Sequence, residues 1–161
     1  MDRKTRNLFF AGFVLGLGLL GAVDGIVFHQ LLQWHHVVDH PDHSLEMVSD
    51  GIFNAFVTAL MVWACVKIFR DARYDRLAHS WKTFVGAIIT GGGAFNLVEG
   101  LVNHQILQVH HVKPGPNEFV YDMLFLLSGV VLLLIGYLVT GGFGGKEASI
   151  SRPRQKVKDS A

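Results

Sequence analysis

Four apolar stretches, about 8–34, 46–69, 83–107 and 119–141, each reach the roughly 20 residues that an α-helix needs to cross the hydrocarbon core of a bilayer. In a chain of 161 residues this leaves room for little besides four spanning helices and their connections. The expected fold is an all-α, integral membrane four-helix bundle: a single four-span domain over 1–140 and a flexible tail over 141–161, where GGFGG leads into a Ser/Arg/Lys-rich end. Charged residues make up only 17% of the chain, against roughly 25% in soluble domains, which argues against a soluble enzyme. A net charge of +1, with the basic residues in blocks at helix ends, gives no nucleic-acid surface. The single cysteine, Cys65, rules out a disulfide framework and a cysteine-built metal site. The first stretch lacks a small-x-small cleavage site, which disfavours reading it as a signal peptide.

With four spans, both termini and the 70–82 loop share one side of the membrane. That side carries thirteen of the fourteen lysines and arginines, leaving Lys113 opposite. The positive-inside rule places the termini in the cytoplasm and eight of the nine histidines in the outer half.

Those histidines belong to a repeat. DGIVFHQLLQWHHV (24–37) aligns with EGLVNHQILQVHHV (99–112) at a shift of 75, with nine of fourteen positions identical. Gly16 and Gly18 match Gly91 and Gly93 at the same shift, and Asp50 and Phe53 match Asp122 and Phe125 at a shift of 72. The chain therefore reads as two tandem helical hairpins, about 8–70 and 83–140, related by a pseudo-two-fold axis along the membrane normal.

On an uninterrupted helix, at about 100° per residue, His29, Gln33 and His36 share one face, while Asp24 and His35 line another about 140° away; the second copy repeats this. Such a first helix, from Leu8 to Val37, would be about 45 Å long. The HH pairs would then stand at or above the outer interface, with Asp24 and Glu99 deeper. An ionisable group deep in the bilayer costs about 2.5–3.5 kcal/mol, so these residues must face the bundle interior and pair.

A lone intramembrane histidine is more often a packing hydrogen bonder than a ligand. Six at matched positions favour a metal or cofactor. Asp24, Glu99, Asp50 and Asp122 read either as helix-pinning polar groups or as partners that orient ligating histidines. His40 and His43, beside Asp39, Asp42 and Glu46, read as a solvated loop, with metal capture at the entrance as the alternative. GLGLLG (16–21) lies inside a helix and reads as close helix packing, not as a nucleotide loop.

The doubled motif, with AFNLVEG before its second copy and VYDMLFLLSG after it, closely resembles a bacterial family of four-helix predicted membrane proteins, domain of unknown function 2243. Its members look like copper-dependent integral membrane superoxide dismutases. The resemblance covers about residues 8–140 and implies copper as cofactor, superoxide as substrate, and a multi-pass place in the bacterial inner membrane with the site facing the periplasm. Carried over, its positions are Asp24, His29, His35 and His36, then Glu99, His104, His110 and His111. One departure is Asn54, four residues after Asp50, where the pattern leads one to expect histidine.

A histidine-rich shell suits copper, zinc, iron or nickel, and copper binds most tightly of the divalent series. The expected metal ligands are His29, His36, His104 and His111, chosen on the helical-face argument. Asp24, Glu99, His35 and His110 are the expected catalytic groups, orienting ligands and relaying protons. Against fast superoxide chemistry, the outer side carries Asp39, Asp42, Glu46 and Glu118 with only Lys113 to attract an anion. Two rival readings use the same residues: a small b-type haem cytochrome, and a metal or proton transporter.

Overall fold

The computed structural model describes residues 1–142 and consists of helices without a strand among them. The elements are α1 (Arg3–Asp24), a π-helical turn (Gly25–Leu31), α2 (His43–Arg73), α3 (Trp81–Glu99), a second π-helical turn (Gly100–Ile106) and α4 (Glu118–Val139). Four spans are long and apolar enough to cross a membrane: Arg3–Leu31, His43–Arg73, Trp81–Ile106 and Glu118–Val139. The tail expected from about Gly141 lies, from residue 143 onward, outside the described residues.

Side chains that accept from the first backbone N–H groups fix three of the helix starts. Asp2 accepts from Thr5 N at 2.8 Å, Asp42 from Ser44 N at 2.9 Å, and Ser80 from Thr83 N at 3.2 Å. At the end bearing both the N-terminus and the 74–80 connection, Lys4 pairs with Asp75 at 2.6 Å and Ala78 N donates to Lys4 O at 3.3 Å.

The bundle is open. α1 and α3 form its central pair, α2 packs on α1, α4 packs on α3, and no Cα of α2 comes within 8 Å of one in α4. Lipid gives apolar side chains no reason to cluster, so close backbone approach must supply the packing. Gly16 and Gly91, equivalent in the repeat, provide it reciprocally: a Cβ on Gly16 would run into the Ile88 carbonyl, and one on Gly91 into that of Phe13. The glycines of GLGLLG serve helix packing, as their sequence context implies. Outward, Ile52, Phe56, Val66 and Phe69 of α2 and Leu124, Leu127, Leu134 and Leu138 of α4 are all more than half exposed, as a lipid-facing surface requires.

The first helix does not run on to Val37 as expected. After Asp24 its hydrogen bonding widens to i→i+5, and Leu32 N donates to Val27 O at 2.8 Å as the turn closes. Gln33 then adopts a left-handed backbone (φ 49°) and reverses the chain; Gln108 does the same at φ 49°. A non-glycine residue in that region is uncommon, and here it occurs twice at matched positions.

Candidate metal centre

Each motif copy folds into the same local device. In an α-helix, residues five apart lie on different faces, but the i→i+5 turn places residue 29 back over residue 24. His29 Nε2 therefore lies 3.2 Å from Asp24 Oδ2, and His104 Nε2 lies 3.2 Å from Glu99 Oε1. The reversal at Gln33 and Gln108 then folds His35 and His110 back onto these pairs. Ring centroids are 4.6 Å apart for His29 and His35, and 4.9 Å for His104 and His110. His35 and His110 stack across the middle at 4.7 Å, nearly parallel.

Two groups that could hold a metal ion result, Asp24/His29/His35 and Glu99/His104/His110, every member buried. This corrects the helical-face expectation. His36 and His111 do not join His29 and His104; His35 and His110 do, and the carboxylates expected on a separate stripe sit with the histidines. The reason is that the π turn and the left-handed residue both break the 100° periodicity on which that expectation rested. Of each HH pair the first member is the buried one: His35 and His110 are each 3% exposed.

His36 and His111 face the two aspartates of the second helices. Asp50 accepts from Val37 N at 2.9 Å, lies 2.7 Å from His36 Nδ1 and 3.0 Å from His29 Nδ1. Asp122 repeats the pattern with Val112 N at 2.9 Å, His111 Nδ1 at 2.7 Å and His104 Nδ1 at 3.5 Å. The alignment at a shift of 72 marks these aspartates, which the sequence reads either as helix-pinning groups or as partners of histidines, and in the structure each meets two histidine rings. Phe53 and Phe125, aligned at the same shift, cover His29 and His104 with centroids at 5.6 and 5.3 Å. Asn54 packs against Gly25 rather than adding a ligand.

The halves also lock each other. His35 Nδ1–H donates to Val112 O at 2.8 Å, and His110 Nδ1–H donates to Val37 O at 3.0 Å. Each returning histidine is thus oriented by the backbone of the other repeat, which fixes its tautomer and turns Nε2 inward.

The two groups differ by one methylene. Glu99 reaches further than Asp24, and its Oε1 also meets His110 Nε2 at 2.9 Å. His35 Nε2 has no such partner. Burial, together with neighbouring His110, pushes the His35 pKa down to about 4, which keeps the ring neutral. Burial opposes charge on His110 as well, but the Glu99 carboxylate outweighs it and raises the pKa above its ordinary 6.5.

Asp24 Oδ1, His29 Nε2, His35 Nε2, Glu99 Oε2 and both ring nitrogens of His104 are buried without a hydrogen bond. Each such atom costs about 1–3 kcal/mol unless something fills the role of partner. Their gathering in these two buried groups fits a cation held by nitrogen and oxygen.

No curated protein and no solved structure matches this chain. The family model described as predicted membrane protein (DUF2243) matches residues 11–142, a span that takes in both motif copies and the whole buried cluster, and the chain belongs to that family.

Proposed function

We propose that the protein is a membrane-embedded copper enzyme that dismutates superoxide at the outer face of the bacterial inner membrane. The observation that carries the metal reading is the set of orphaned donors in Asp24/His29/His35 and Glu99/His104/His110. The choice of copper rests on its place at the top of the divalent affinity series and on the family resemblance. Superoxide as substrate rests on the resemblance alone.

His29, His35 and Asp24 would hold the metal, because His35 already presents a free, neutral Nε2. Bound copper would supply one-electron chemistry, taking an electron from one superoxide and giving one to another, so that two superoxides and two protons yield dioxygen and hydrogen peroxide. The second group is built to hold a proton. Both nitrogens of His110 face acceptors, the Val37 carbonyl and Glu99, so one proton lies between Nε2 and the carboxylate. Glu99 and His110 are thus the proton store nearest the chemistry, in direct ring contact with His35.

The donor set supports iron as a second reading, since two imidazoles with one carboxylate is also the set of non-haem ferrous sites. Haem fits poorly: His35 and His110 stack in direct contact, which leaves no slot for a macrocycle between them.

The test is elemental analysis with optical and EPR spectra on protein purified in detergent, beside a His29→Gln/His104→Gln variant that elutes as the wild type does. Wild type holding about one equivalent of copper more than the variant, with accelerated superoxide decay, supports the proposal. Iron in its place moves the reading to the ferrous site. Bound copper without accelerated decay refutes the enzyme, and equal metal content in wild type and variant after reconstitution refutes the metal centre.

A further inference from the structure

We propose that His36, His43 and Glu46 form a separate, solvent-accessible site for a divalent first-row cation, Cu(II) or Zn(II), at the mouth of the bundle. One ligand atom from each lies within 4.8 Å of the others. Tetrahedral ligands at about 2.1 Å from a zinc ion sit about 3.4 Å apart. Glu46 Oε2 is 2.9 Å from His43 Nδ1 and 3.6 Å from His36 Nε2, so only the His36–His43 separation must close. The His43 side chain is 70% exposed and free to make that adjustment.

Two of the three donors are already oriented. Asp50 Oδ2 takes the Nδ1–H of His36 at 2.7 Å, leaving Nε2 as the lone-pair nitrogen facing Glu46. A carboxylate behind a ligating histidine is the usual support for a metal ligand. Glu46 is held through its other oxygen, which accepts from His40 N at 3.1 Å. The His36 and His43 rings stand at 76° with centroids 5.9 Å apart, so neither blocks the other.

The second repeat is an internal comparison. Glu118 corresponds to Glu46 at the 72-residue shift and His111 to His36 at the 75-residue shift, and His111 Nε2 is 3.9 Å from Glu118 Oε1. At the 72-residue shift, His43 corresponds to Gly115. The same scaffold therefore carries three donors in one half and two in the other. The start of α2 opposes a cation through the helix dipole, but Glu46 in its first turn and Asp42 at its cap set negative charge against that.

The site touches the buried cluster only through Asp50, whose other oxygen holds His29. It does not depend on what the buried cluster binds. The full chain in detergent, stripped and then titrated with Zn(II) and separately with Cu(II), is compared with His43→Ala and Glu46→Gln, using His79→Ala as a control at the opposite end. Wild type and His79→Ala are expected to bind one more ion per chain than His43→Ala, and Glu46→Gln to lose about tenfold or more in affinity for that ion. A buried site that takes no metal leaves the one-ion difference intact. Equal stoichiometry and affinity in wild type and His43→Ala would overturn the proposal.

Discussion

Asp50→Asn tests whether the buried cluster works as a metal centre or is only packed polar groups. The wild-type carboxylate is fully buried and faces three donors: Val37 N–H and the Nδ1–H groups of His36 and His29. An amide of the same shape has one acceptor, and its NH₂ meets donors. At least one charge-assisted hydrogen bond is lost, about 1.5–3 kcal/mol, equivalent to a factor of about 10 to 150. If the bond to His29 slackens, copper affinity should fall within the roughly 10–100-fold range seen for such supporting groups. Asp122→Asn should cost less, because His104 Nδ1 lies at 3.5 Å from its carboxylate, against 3.0 Å for His29 from Asp50. The assay is competition for Cu(II) against a chromophoric chelator in detergent, with every protein in a His43→Ala background that lacks the entrance site, on fractions that elute as the wild type does. Affinity for Asp50→Asn within about twofold of wild type, or a larger loss for Asp122→Asn, would refute the reasoning.

Further expectations concern stability and rate. Gly16→Ala or Gly91→Ala puts a Cβ into an opposing carbonyl and should cost about 1–3 kcal/mol or more, whereas Gly51→Ala, in open space on α2, should gain about 0.5–1 kcal/mol; thermal unfolding in detergent reads both, and equal effects would sink the packing argument. His35, with its pKa pushed down to about 4, resists the proton that the unfolded chain takes up near 6.5. Metal-free protein should therefore lose stability as pH falls from 6.5 to 4, by up to about 3 kcal/mol, while the raised His110 contributes below its ordinary value and loses that contribution as pH climbs through the raised one; a melting temperature constant from pH 6.5 to 4 would contradict a buried neutral His35. Lys113 stands over Trp34 and Tyr121 at 4.8 and 5.4 Å, and the two outer connections and the helix starts after them carry Asp39, Asp42, Glu46 and Glu118. A mouth of that charge repels an anion, so superoxide decay should speed up with added salt; a rate that falls with salt would show steering that the charges do not explain.

The spans were legible because their length and apolarity exceed anything a loop or soluble helix needs, and close packing at GLGLLG because its glycines lie inside a spanning helix; that the packing partner is Gly91's helix came only from the structure. The grouping of site residues was not. Choosing His36 over His35 required an unbroken helix, and nothing in the propensities of GIVFHQL signals a π turn, nor does Gln33 advertise a left-handed backbone as glycine would. Both events move side chains by a fraction of a turn, enough to exchange neighbours. Asp50 and Asp122 were visible only through a weaker alignment, since α2 starts seven residues before Asp50 and α4 only four before Asp122, which shifts the register from 75 to 72.

The crossed bonds from His35 to Val112 and from His110 to Val37 mean that a lone hairpin cannot aim its own second histidine. Two identical hairpins meeting face to face would satisfy both bonds at once, so the arrangement requires two copies but not one polypeptide. Tethering the copies releases them from having to stay the same. The exchange of Asp24 for Glu99, which closes one group with a hydrogen bond and leaves the other open, and the histidine at 43 where its counterpart is Gly115, are differences a self-paired hairpin could never carry. Covalent linkage is what permits division of labour within the pair.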